Sequence, residues 1–184
     1  MKNLLTFLTV VFISSYATAA EPQNTGLRPY LSMKVGTTNV SLKDSYGYTL
    51  DKDGVQTTGG AIGLTAADQI RFEIEFLHYD EISNDFYKRN VSSLLANIFY
   101  DITKSTVRPY IGFGAGIAYI EEENRRWISE ETTLAAAVHF GVSVHFNDNA
   151  AIDLSGRASY FGETDFFKID QSSFSALAAL RFSF

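Results

Sequence analysis

The chain has no cysteine, three prolines and one tryptophan, and past residue 20 it has no apolar run long enough to cross a bilayer as a helix. Each shortage removes a class of protein. Without cysteine there is neither a disulfide framework nor a thiol for lipid attachment. A membrane helix needs roughly 17 to 25 apolar residues, so any entry into a membrane is made with strands. Heptads, low-complexity tracts and Pro/Gly-rich linkers are missing too, which leaves one continuous domain. The excess of acid, net −6 at pH 7, speaks against a nucleic-acid partner. No metal-ligand spacing, phosphate loop or nucleotide fingerprint is found, and no cofactor or metal is expected.

What is there begins with MKNLLTFLTVVFISSYATAA. Lys2, the apolar run from Leu4 to Ile13 and the small-x-small signal Ala17-Thr18-Ala19 read as a secretory signal peptide cut before Ala20. Residues 1–19 are therefore expected to be lost and residues 20–184 to form a single β-domain.

Within that domain RPYLSMKVG at 28–36 is echoed by RPYIGFGAG at 108–116, an offset of 80 residues. Between the shared positions every second residue is apolar, a strand period. Similar alternation recurs over residues 28–38, 59–66, 70–79, 91–101, 108–120, 132–146, 150–161 and 172–184. The links 67–69, 102–107 and 147–149 are short, whereas 39–58, 80–90, 121–131 and 162–171 are long and polar. Short turns at one end and long loops at the other is the layout of an outer-membrane barrel. The expected fold is an all-β, eight-stranded antiparallel transmembrane barrel, an up-and-down meander. Strands one and five then start at the same rim, and the echo marks one station on two equivalent strands.

The third segment decides which face meets lipid, because Arg71, Glu73 and Glu75 alternate with Phe72, Ile74 and Phe76. Turning the charged face to lipid would cost roughly 2 to 4 kcal/mol for a midplane arginine alone. A one-residue slip would do that to every side chain of the strand. Phenylalanines therefore face lipid and charges face the lumen, the reverse of a soluble lipocalin-like barrel. The expected interior network is Lys34, Arg71, Arg157 and Arg181 against Glu73, Glu75 and Asp153, with Asn97 and His139. An eight-stranded barrel is only just wide enough for its own side chains, so these charges read as a salt-bridged plug ahead of a selectivity ring. Gly112, Gly114 and Gly116 fall on the inward face, where they are expected to admit bulky side chains from other strands.

With the strands placed, RFEIEF (71–76), LLANIFYD (94–101), RPYIGFGAGIAY (108–119) and ALRFSF (179–184) carry a resemblance. The chain resembles the small outer-membrane β-barrel superfamily, the opacity-protein and OmpA/OmpX-like group of porin-family surface proteins. The resemblance implies residence in the bacterial outer membrane among lipid and lipopolysaccharide. It also implies that Phe182 and Phe184 form the terminal signal presented to the outer-membrane assembly machinery. Its motifs are alternation patterns, so they identify architecture better than activity.

Two further groups of residues bear on function. His139, Ser143 and His145 share the inward face of the sixth strand, the one hint of a lipid-modifying enzyme, but they lie away from outer-leaflet lipid and read as interior polar residues. His78 has no serine beside it in sequence. The acidic run Glu121-Glu122-Glu123 suggests a solvated loop more than a cation site. The long loops carry Tyr46, Tyr48, Phe86, Tyr87, Trp127, Phe166 and Phe167, aromatic side chains of the kind that anchor binding. The expectation is a non-enzymatic surface protein that meets a host or environmental ligand through these loops.

Overall fold

A computed structural model describes residues 26–43, 49–84, 87–124, 127–162 and 170–184. Eight strands, β1 (Leu27–Lys43), β2 (Thr49–Ala66), β3 (Ile70–Asn84), β4 (Tyr87–Asp101), β5 (Val107–Asn124), β6 (Trp127–His145), β7 (Ala150–Phe161) and β8 (Asp170–Ser183), follow one another in chain order. Each pairs antiparallel with the next, and β8 returns to β1 to close the barrel. Closure leaves no unsatisfied sheet edge in lipid, the condition for strands to span a membrane. Among the described residues no helix is long and apolar enough to do so.

The alternation works outward and inward at once. Met33, Ile62, Phe72, Ile74, Phe76, Leu94, Phe113, Val138 and Phe140 stand exposed on the outer wall, while their chain neighbours turn inward. At the short-turn end, the Gln69 N–H donates to the Ala66 carbonyl (3.3 Å). Ala67 and Asp68 both take left-handed backbone, φ 51° and 61°, the conformation of a type I′ turn that matches the twist of the flanking strands.

Three links differ from expectation. Residues 39–43 and 49–58 belong to β1 and β2, 80–84 and 87–90 to β3 and β4, 121–124 and 127–131 to β5 and β6. Tyr87 and Trp127 therefore lie on strands, in register with Asn84 and Asn124, and Glu121–Glu123 lie on β5. In these stretches polar residues occupy both parities of the strand, so the polar–apolar contrast that reveals a strand in the sequence fades while hydrogen-bond pairing continues.

The lumen has two layers. A polar layer fills the half nearer the short turns. Above it Val40, Val55, Leu77, Leu95, Ile120 and Phe161 form an apolar layer, with Leu77 and Phe161 essentially inaccessible. The sequence reading anticipated only the first, although Leu77 and Leu95 share the parity of Glu75 and Asn97.

Candidate functional site

The polar layer is built from ion pairs that run between strands far apart in sequence. On β1 Lys34 donates to both Glu73 and Glu75 of β3. Glu75 also accepts from Arg157 of β7 at 2.9 Å, and Arg157 Nε donates to Ser159 at 2.8 Å. Arg71 pairs with Asp101 at 2.9 Å and with Asp153 at 3.4 Å. Arg181 reaches the other Asp153 oxygen at 3.4 Å and donates to the Ser143 hydroxyl at 2.7 Å. All of these charged groups are buried, and so are Asn97 and His139. Asp101 is the member that the sequence reading omitted, though it sits on the parity of Asn97 two pleats along β4. Including it, four cations face four carboxylates at this level, and the layer is formally neutral.

Aromatic rings complete the packing and explain the repeated RPY. Tyr30 is in register with Gly63, and Tyr110 with Gly141. A Cβ on either glycine would strike the tyrosine ring. The Arg181 guanidinium lies 5.5 Å from the Tyr30 ring centre and that of Arg71 lies 4.6 Å from Tyr110. Both copies therefore plant a tyrosine over a facing glycine and beneath an arginine. A Cβ on Gly112 would meet the Phe99 ring and one on Gly114 the Asn97 amide, whereas Gly116 abuts the backbone of Leu94 and Leu95. Gly63→Val is expected to displace Tyr30 and break its 3.1 Å hydrogen bond to Glu73. The loss should be about 1–3 kcal/mol, read from urea unfolding in lipid vesicles.

Among the described residues a cavity of about 20 Å³ is bordered by Lys34, Arg71, Glu73, Glu75, Tyr110 and His139. That holds roughly one water molecule. Asp153 and Ser155 line it as well. Ser143 faces the Arg181 guanidinium, which stays protonated and cannot act as a base, and His139 stacks edgewise on Phe99 with ring centres 5.1 Å apart. His78 is different. The β3–β4 register sets it opposite Ser92, with 3.0 Å between Nδ1 and the hydroxyl, a pairing that sequence proximity did not offer. Both residues stand on the outer wall just above Phe76 and Leu94.

The other sequence candidates are placed as follows. Tyr46, Tyr48, Phe86, Phe166 and Phe167 lie outside the described residues. Phe182 and Phe184 are exposed on the outer wall at the short-turn end of β8, where the Phe184 N–H donates to the Pro29 carbonyl at 3.1 Å.

An apolar outer wall, closed strands and a charge-filled lumen define a small transmembrane barrel of the bacterial outer membrane. The chain belongs to the outer membrane protein beta-barrel domain family, whose model matches residues 5–182. No curated protein matches it. Among solved structures, Neisserial surface protein A is 22% identical with a TM-score of 0.70, over 85% of this chain and 97% of that one. The N-terminal β-barrel domain of Pseudomonas aeruginosa OprF is 17% identical at TM-score 0.56, over 83% and 97%. Yersinia pestis Ail, the attachment invasion locus protein, solved with the heparin analogue sucrose octasulfate, is 16% identical at TM-score 0.55, over 84% and 99%. At these identities the likeness is one of fold.

Proposed function

We propose that this barrel is a non-enzymatic surface protein that makes adhesion-type contacts through the hairpins it raises above the outer membrane. One observation carries the reading. Paired strands continue past the apolar belt to Lys43, Asn84 and Asn124, above a lumen crossed by ion pairs between β1, β3 and β7. The protein thus invests in projecting surface and not in a passage. The attachment protein Ail offers a parallel in fold, but its sulfated ligand does not transfer readily. Asp80, Glu121, Glu122, Glu123, Glu130 and Glu131 make the raised part of this chain acidic, and like charge would repel a polyanion.

Cells producing the protein are expected to bind host cells or matrix better than cells without it. Replacing residues 121–131 with a short turn should lower that gain while the boiling-dependent gel shift of the barrel persists. Unchanged binding by the shortened protein would count against the reading. The plug also predicts silent planar bilayers, and discrete conductance steps would favour a narrow channel instead. The second reading, a lipid-modifying enzyme, has the outward His78–Ser92 pair in its favour. An altered lipid A mass spectrum on overproduction, reversed by Ser92→Ala, would establish it.

A further inference from the structure

Above the membrane the wall parts between β2 and β3. Their pairing runs from Ala66↔Ile70 to Thr57↔Tyr79 and stops there, although β2 continues to Thr49 and β3 to Asn84. Each keeps its other neighbour over this stretch: β2 stays on β1 as far as Thr49↔Lys43, and β3 stays on β4 as far as Asn84↔Tyr87. A bulge lies in both strands at the parting. On β2, Asp53 and Gly54 oppose Asn39 alone, with Gly54 at φ 77° and its N–H donating to Asn39 Oδ1 at 3.1 Å. On β3, Asp80 and Glu81 oppose Asn90 alone. A bulge adds twist to its strand and ends regular pairing, so two facing bulges turn the strands away from each other.

The result is a wedge whose sides are strand edges. In an antiparallel ladder alternate residues send their N–H and C=O to alternate sides. Beyond Thr57 and Tyr79, alternate backbone groups of both strands therefore point into the wedge with no strand partner among the described residues. Such an edge is a template for another chain. The edges carry Asp51, Lys52, Asp53, Asp80 and Glu81, four acids against one lysine, and Asp80 is exposed.

We propose that this wedge is a strand-addition site that takes an extended, basic peptide segment of a partner protein. Main-chain hydrogen bonds supply the affinity and the acids select the sign of charge. The proposal rests on the surface-contact reading for its biological setting, and it names where and with what chemistry contact is made.

The test uses the full mature chain in lipid nanodiscs and a fluorescein-labelled octapeptide of alternating lysine and valine, followed by anisotropy. The expected result is saturable binding, weakened at least tenfold when alternate backbone amides of the peptide are N-methylated, and equally weakened when glutamate replaces lysine. Because the chain has no cysteine, Gln56→Cys with Asp80→Cys places a single disulfide at the next step of the β2–β3 register. Oxidation should zip the wedge and lower peptide affinity at least tenfold below that of the same variant in its reduced form, and reduction should return it to that level, which also shows that the variant is folded. No binding, equal binding of the N-methylated peptide, or binding indifferent to the disulfide would overturn the proposal. Self-association of the protein that the disulfide dissolves would make a second copy the occupant, and would overturn it as well. Cell adhesion that survives the disulfide would sink the wedge and leave the surface-contact reading standing. Peptide capture without any cell adhesion would do the reverse.

Discussion

Replacing Glu75 by leucine is expected to cost the barrel about 3–5 kcal/mol of unfolding free energy. Glu75 is the carboxylate on which two walls converge, accepting from Lys34 of β1 and from Arg157 of β7 at 2.9 Å. Among the described residues its removal leaves Lys34 to Glu73 alone and leaves Arg157 buried with only the Ser159 hydroxyl at 2.8 Å. The penalty comes from the stranded guanidinium more than from the lost attraction. Removing the cation along with the carboxylate should therefore recover most of the loss, since replacing a whole buried pair by apolar groups is often close to neutral. The double variant Glu75→Leu/Arg157→Leu is expected to lie within about 1–2 kcal/mol of the natural chain, giving a large coupling energy in a double-mutant cycle. Urea titrations in lipid vesicles measure all four corners. A single variant that costs under about 1 kcal/mol would mean that bulk water reaches Arg157 and that the ion pairs do not close the lumen.

The second large effect lies one residue away, on the outward face of the same strand. Ile74→Arg should destabilise the barrel by about 2–4 kcal/mol, because Ile74 sits in the middle of the outward row Ile70, Phe72, Ile74 and Phe76 and is half exposed to lipid. The same substitution at Thr58, which is exposed opposite His78 where polar residues begin, should cost no more than about 1 kcal/mol, as the lipid-facing penalty fades near the interface. Comparing the two in refolding titrations tests the register itself. Equal costs at both positions would mean that Ile74 does not face hydrocarbon.

How much of this was legible without coordinates depends on the range of the interaction. Arg71-Phe72-Glu73-Ile74-Glu75-Phe76 declares its two faces within six residues, because side-chain direction in a strand alternates whatever surrounds it. For the same reason the closing strand could be read from Phe174, Leu180 and Phe182, and the meander from the unequal links. The sites that the sequence reading missed follow a different rule. Asp101 carries the right parity yet gives no local sign of its 2.9 Å pairing with Arg71. His78 meets Ser92 only because the β3–β4 register sets them opposite each other. Tyr87 and Trp127 looked like loop residues because polar residues occupy both parities of the sequence around them.

The sequence by itself thus determined the class of fold, the number of strands and the wall that meets lipid, all of which rest on a period of two. Only the tertiary structure decided which charges meet across the lumen. Arg71 and Asp153, and likewise Glu75 and Arg157, are 82 residues apart, and closing the barrel brings these opposite strands within hydrogen-bond reach. It also decided where β2 and β3 part, since the end of a ladder depends on the register and twist of both strands at once, and neither is written in either strand alone.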